Sequence, residues 1–283
     1  MVADPPPTPI AGGRRVWRRC VTILILGCGN MGGAMLTGWL GGGIAPSAFT
    51  VVDPMLAEAP AGVRLLRELP EERFDTVLLS VKPQLLDDVA TTLARMINAN
   101  TVLLSILAGV ELDSLATRFP GAGALVRVMP NLAAAIGKSP VALFDRGLDQ
   151  AGRDRISALI KPLGQPEWLA AESDFDLVTA LVGSGPGFVY RFIEALAEGA
   201  TALGLDPAQA ERFAVSTVEG AAQLAAASPH GPAELARRVA SPGGSTQKGL
   251  DVLDRDGALL RLIEATLRSA RDRNAEMAEA ARQ

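Results

Sequence analysis

Six residues, Val21-Thr22-Ile23-Leu24-Ile25-Leu26, run straight into Gly27-Cys28-Gly29-Asn30-Met31-Gly32 and then into the helix-forming Gly33-Ala34-Met35. A short apolar run, a GxGxxG and an immediate helix leave few folds open. The run reads as a buried strand that must turn sharply into a helix, and each glycine removes a Cβ that would block the turn, a ligand or the contact between helix and sheet. The unpaired N–H groups at the start of that helix suit a pyrophosphate. The segment therefore reads as a dinucleotide-binding start, with a ligand-free glycine turn as the plainer alternative.

The bulk of the sequence narrows the ligand further. With 27 basic against 31 acidic residues and a net charge of -4, the chain has no general attraction for nucleic acid. No apolar run approaches the ~18 residues of a membrane span. A small-molecule partner is expected, with no nucleic acid and no membrane. At 283 residues, about two domains are expected. Cys20 and Cys28 are the only cysteines, too few for a disulfide framework, which fits a reducing cytoplasm. The single histidine, His230, lies between Ser-Pro and Gly-Pro and reads as a solvated loop residue. That argues against a transition-metal site and against a Ser-His-Asp hydrolase. Residues 1–20, with Pro5, Pro6, Pro7 and Pro9 before Arg14, Arg15, Arg18 and Arg19, read as a disordered tail. A secretory signal would need a longer apolar core than the run already taken by the strand.

Beyond the first helix, Phe49-Thr50-Val51-Val52-Asp53-Pro54 reads as a second strand that places Asp53 at its carboxyl end. Strands are expected at 76–81, 101–106 and 124–128, and helices near 84–97 and 111–118. The alternation means a Rossmann-type, doubly wound, mostly parallel sheet over residues 21–170, with its ligand at the carboxyl ends of the strands. Residues 171–283 change character. Strand-like runs disappear, and Ala-rich helical segments are expected at 186–203, 207–227, 232–240, 245–255 and 257–281, an all-α domain. The 186–203 segment is apolar around most of its circumference, which fits either a subunit interface or a core helix of a monomer.

Three places in this layout carry chemistry. Asp53 lies 21 positions after Gly32, where an acidic side chain accepts hydrogen bonds from ribose hydroxyls and repels a 2′-phosphate, which favours NADH; an ordinary acidic turn residue is the alternative. Ser80-Val81-Lys82-Pro83-Gln84 ends a strand and holds one of four lysines in the chain, either as a cofactor-facing turn or simply as a helix start. Ser241-Pro242-Gly243-Gly244-Ser245-Thr246 opens a helix, and its backbone N–H groups suit a carboxylate. Plain N-capping by Ser245 or Thr246 would explain the hydroxyls but gives the two glycines no purpose.

Taken in order, GCGNMG at 27–32, VKPQ at 81–84, SILAG at 105–109, VMPN at 128–131, GSGPGF at 183–188 and SPGGST at 241–246 resemble the pyrroline-5-carboxylate reductase family over residues 21–281. The resemblance implies that Gly27 to Gly32, Val81, Lys82, Pro83, Ala108, Gly109 and Asn131 surround NADPH or NADH. It implies that Ser241, Gly243, Gly244, Ser245 and Thr246 hold the substrate, 1-pyrroline-5-carboxylate, on the way to L-proline, the last step of proline biosynthesis. It also implies a homo-oligomer with a dimer as building block, commonly assembled into a decamer. Gly187 stands where the family has Ala, Ala133 where it has Pro, and Pro229 where some members carry an acidic residue after the serine matching Ser228. No acidic contact is therefore carried over.

On this reading Thr246 is the catalytic candidate, since a protonated cyclic imine needs orientation and a hydrogen bond at its nitrogen more than a strong base. Two other classes stay open. A beta-hydroxyacid dehydrogenase shares the plan but wants a lysine on the long helix, and 183–203 contains none. A non-catalytic NAD(P)-binding regulator would need only the first glycine turn.

Overall fold

The computed structural model describes residues 21–281, so the expected tail at 1–20, with Cys20, lies outside the described residues. The chain divides into two compact units between Trp168 and Leu169.

The first unit is built on eight strands, β1 (Ile23–Leu26), β2 (Phe49–Val52), β3 (Arg64–Leu66), β4 (Thr76–Leu79), β5 (Val102–Ser105), β6 (Ala124–Met129), β7 (Ser139–Arg146) and β8 (Gly164–Trp168). They form one sheet in the order β3-β2-β1-β4-β5-β6-β7-β8. All neighbours are parallel except β6 and β7. The helices are α1 (Asn30–Gly41), α2 (Leu86–Leu93), α3 (Leu112–Arg118) and α4 (Gln150–Ile160). This is the doubly wound, mostly parallel α/β sheet expected from the sequence.

The unbroken apolar runs follow from helices covering both faces of the sheet. Because side chains alternate along a strand, Ile23 and Ile25 of β1 enter one core layer with Met35, Leu36 and Trp39 of α1 and Ile156, Leu159 and Ile160 of α4. Leu24 and Leu26 enter the other, with Leu86, Ala90 and Leu93 of α2 and Leu112 and Leu115 of α3. Each strand thus has two apolar faces to satisfy, and none of β1 carries a polar residue.

Four elements were not expected: β3, β7, α4 and β8. The segment between β6 and β7 is too short for a crossover, so the chain turns back and β7 pairs antiparallel. Pro140 in β7 and Pro166 in β8 hide both strands from a reading by propensity. Pro166 is tolerated because β8 is the edge of the sheet. The helix expected at 84–97 is shorter, a 3-10 turn over Pro83–Leu85 followed by α2, which ends at Leu93.

The second unit is helical among the described residues. It comprises α5 (Phe175–Val178), a π-turn over Thr179–Gly183, α6 (Gly185–Ala202), α7 (Pro207–Ala227), α8 (Pro232–Val239), α9 (Ser245–Leu253) and α10 (Ala258–Ala281). The five longer helices occupy the five expected segments. Only the short α5 and the π-turn are additional. Asp206 caps α7 by accepting the Gln209 N–H at 3.0 Å. On α10, Asn274 is buried and donates to the Asp176 carbonyl at 3.1 Å, fixing that helix to α5.

The long apolar helix α6 contains no buried residue. Val189, Tyr190, Phe192 and Leu196 are 45%, 64%, 45% and 40% exposed. A monomer core helix would bury them, so that alternative fails.

Gly38 gives the first unit its tightest helix contact: a Cβ there would lie 2.0 Å from the Ala134 carbonyl oxygen. Next to it the fully buried Trp39 donates to the Leu159 carbonyl at 2.8 Å. Gly38→Ala must push α1 away from the turn at Leu132–Ile136, and the unfolding free energy in a urea titration is expected to drop by about 1–3 kcal/mol.

Candidate active site

The strand order reverses between β1 and β4, and the carboxyl ends of β1, β4, β5 and β6 lie side by side. That is where an open α/β sheet makes its ligand crevice. The residues expected around a dinucleotide fall on this edge: Gly27 to Gly32 after β1, Val81, Lys82 and Pro83 after β4, Ala108 and Gly109 after β5, and Asn131 after β6.

Sterics explain the glycines after β1. Gly27 has φ +87°, and a Cβ on it would lie 2.8 Å from the Ser80 carbonyl oxygen and 3.0 Å from the Val81 nitrogen. The turn after β1 therefore lies directly against the turn after β4. At Gly32 a Cβ would meet the Gly27 carbonyl oxygen at 2.6 Å. Ser80, read in the sequence only as part of a strand end, locks the two turns together: its hydroxyl donates to the carbonyls of Leu26, at 3.1 Å, and Gly27. Gly29 serves differently, since a Cβ on it would meet no protein atom within 4 Å.

Gly29 is also the N-cap of α1. It offers no side-chain acceptor, and the first turn of α1 carries no acidic residue. An α-helix leaves its first N–H groups without partners, and here no side chain takes them up. The cradle fits a pyrophosphate on its own geometry, with the helix dipole adding attraction for the anion.

Asp53 is more engaged than its spacing suggested. One carboxylate oxygen accepts the Cys28 N–H at 2.7 Å, and the other accepts those of Met55 at 2.8 Å and Leu56 at 3.1 Å. Burial pushes its pKa up, but the three N–H groups and the charge of Arg67 outweigh that and hold it below the usual carboxylate value. Three of its roughly four lone-pair directions are thus occupied, leaving about one for a ribose hydroxyl. Burial, reinforced by this charge, pushes the Cys28 thiol up, so it stays neutral.

The remaining residues on this edge have smaller parts. Gly109 takes φ +75° beyond β5. The Asn131 side chain accepts the Ala133 N–H at 3.0 Å, while its own N–H donates to the Ser139 hydroxyl at 2.9 Å. Lys82 is exposed, and Pro83 opens the 3-10 turn before α2.

The second unit holds the other candidate turn. Gly243 has φ +73°, and the Gly244 N–H donates to the Ser241 carbonyl at 2.9 Å, which closes a tight turn. Gly244 is the N-cap of α9, with no capping side chain and no acidic residue in the first turn. Ser245 and Thr246 lie inside the helix, so the capping explanation for their hydroxyls is overturned. Both side chains are exposed, beside helix N–H groups that lack partners. The His230 N–H donates to the Ser228 hydroxyl at 3.0 Å.

Comparison with known proteins now bears on both turns. Residues 172–277 match the family model for pyrroline-5-carboxylate reductase dimerisation, and residues 22–109 match that for NADP oxidoreductase, coenzyme F420-dependent. A pyrroline-5-carboxylate reductase from Pseudomonas aeruginosa is 31% identical over 265 residues, covering 91% of this chain and 97% of the relative. The chain belongs to the pyrroline-5-carboxylate reductase family. A second reductase, from Glycine max, is 35% identical over 260 residues, 88% of this chain and 94% of the relative. The solved pyrroline-5-carboxylate reductase from Coxiella burnetii superposes with a TM-score of 0.84 at 27% identity, covering 92% of this chain and 99% of that one.

Family membership gives the exposed face of α6 its meaning, because the dimerisation match spans that helix and both its neighbours. No helix among the described residues is long and apolar enough to cross a membrane. Sedimentation at micromolar concentration is expected to show a dimer or a larger assembly. A fully active monomer would overturn this reading of α6.

Proposed function

We propose that this reductase converts 1-pyrroline-5-carboxylate to L-proline with NADPH or NADH as hydride donor, completing proline biosynthesis in the cytoplasm. The observation that carries the reading is the start of α9, where a glycine cap leaves helix N–H groups open and two hydroxyl side chains lie in the first turn.

The open N–H groups at the start of α9, from Ser245 and Thr246, bind the substrate carboxylate, in the turn that Ser241, Gly243 and Gly244 shape, the Gly244 N–H being spent on the Ser241 carbonyl. Thr246 hydrogen-bonds the ring nitrogen. In the first unit, the start of α1 at Gly29, Asn30, Met31 and Gly32 binds the pyrophosphate, while Gly27 and Cys28, whose N–H groups go to the Val52 carbonyl and the Asp53 carboxylate, shape the turn beneath it, and Asp53 meets the adenosine ribose. Val81, Lys82, Pro83, Ala108, Gly109 and Asn131 flank the nicotinamide half, on the same sheet edge. When bound, the reduced nicotinamide supplies the hydride that adds to the C=N carbon.

The protein's own residues then have three tasks. The carboxylate turn fixes the ring so that one carbon faces the donor, and positioning of this kind can lower a barrier by roughly 7–11 kcal/mol in favourable cases. The Thr246 hydroxyl holds the nitrogen as the imine π bond becomes its lone pair. The proton on the protonated imine remains on that nitrogen, giving the secondary amine of proline. No strong base is required. A beta-hydroxyacid dehydrogenase wants a lysine as acid and base for its alcohol on the long helix, and α6 contains no lysine. The dimer is proposed as the building block of a larger assembly, a decamer by family likeness.

The deciding assay is loss of NAD(P)H absorbance when 1-pyrroline-5-carboxylate is added; a chain that only binds the dinucleotide leaves the absorbance unchanged. Thr246→Ala is expected to lower kcat about tenfold or more with cofactor affinity intact, because the lost hydrogen bond matters most as the nitrogen gains amine character. Near-normal turnover would remove Thr246 from the mechanism.

Asp53 generates a second expectation. NADH competes well with NADPH, and Asp53→Ser moves the kcat/KM ratio toward NADPH by deleting a repulsion against the 2′-phosphate. Since the same carboxylate holds three backbone N–H groups, the variant also raises KM for both cofactors. A wild-type enzyme that already prefers NADPH by a large factor would sink the assignment.

A further inference from the structure

We infer that Arg67 is a positioning residue for the adenosine end of the cofactor, acting through the loop that follows Asp53. The inference rests on the dinucleotide reading of the first unit and adds a residue that no motif contains.

Strand β3 is only three residues long, paired in parallel with β2 through Thr50 with Arg64, Val51 with Leu65 and Val52 with Leu66. Continuing that register by one residue sets Arg67 beside Asp53, and the Asp53 N–H donates to the Leu66 carbonyl at 3.1 Å. The Arg67 guanidinium then donates to the carbonyls of Asp53 at 3.0 Å, Leu56, and Ala57 at 3.3 Å, with the Pro54 carbonyl at 3.4 Å. One planar cation thus gathers the carbonyls of the loop. The Asp53 carboxylate gathers two of its N–H groups, those of Met55 and Leu56.

The two charged groups hold opposite polar edges of the same five residues, 53–57, a stretch with no helix or strand of its own. Without Arg67 the converging carbonyls lose their common donor and the loop has only the Asp53 side to define it. The same carboxylate also accepts the Cys28 N–H from the turn after β1. Slack in the loop therefore reaches both the ribose acceptor and the pyrophosphate turn. A lysine cannot take this place. Its single ammonium lacks the planar fork that spans several carbonyls.

The test uses the full-length enzyme and the variants Arg67→Ala and Arg67→Lys, both at an exposed side chain. Steady-state kinetics with NADH and 1-pyrroline-5-carboxylate are compared with calorimetric titration of NADH in the absence of substrate. In Arg67→Ala, KM and Kd for NADH are expected to rise about tenfold, the scale of losing charged hydrogen-bond donors. The kcat at saturating NADH and the KM for 1-pyrroline-5-carboxylate stay within about twofold of wild type. Arg67→Lys recovers little of the loss. Unchanged NADH affinity in Arg67→Ala overturns the inference, as does a fall in kcat without a change in KM. Full recovery by lysine overturns it too, since charge alone would then suffice. The wider functional reading fails separately: wild-type enzyme would bind NADH without consuming it when the imine is added, while the titrations still report on Arg67.

Discussion

The hydrogen bond from the Cys28 N–H to the Asp53 carboxylate, 2.7 Å long, joins the turns that follow two adjacent strands. Because this acceptor is an anion, the bond is stronger than a neutral one and fixes the height of the first turn relative to the second. Ser80 makes the corresponding join on the other side, from the end of β4 to the carbonyls of Leu26 and Gly27. The turn after β1 is thus held from both neighbours, while the N–H groups at the start of α1 that follows it stay without a side-chain cap. A cradle shaped in advance does not have to be ordered when an anion arrives, and that ordering cost is a large part of what weak binders lose.

The same economy of backbone recurs in the second unit. There a proline and two glycines shape the turn and leave the start of α9 without a side-chain cap. In each unit the helix start is left uncapped, although a capped helix is the more stable one by about 1 kcal/mol. Open N–H groups at these two starts lower stability and suit the ligands proposed for them.

The sheet was legible where its strands are buried on both faces. Runs such as Thr76-Val77-Leu78-Leu79 and Val102-Leu103-Leu104 need no partner to be recognised, because every position is apolar or small. At the edges this breaks down. β3 has only three residues, and β8 contains a proline and alternates between exposed and half-buried positions, as an edge strand does. In the site, the glycines were legible because few other reasons exist for GxGxxG after a strand. Ser80 and Arg67 were not, for their importance lies in distances to backbone atoms 53 and 10–14 residues away. Asp53 was half legible: its place was right, while its occupation by three N–H groups is a tertiary fact. That the hydroxyls of Ser245 and Thr246 do not cap the helix could be read only once the helix start was fixed at Gly244.

The helix α6, with none of its residues buried, divides the molecule by what stabilises each part. The first unit carries two closed apolar layers and owes its stability to its own sequence. A unit whose longest apolar face is covered only by another molecule draws stability from mass action, so its folded fraction rises with the amount of protein present. One chain therefore joins a part that buries its apolar strands within itself to a part whose folded fraction depends on how many copies are at hand.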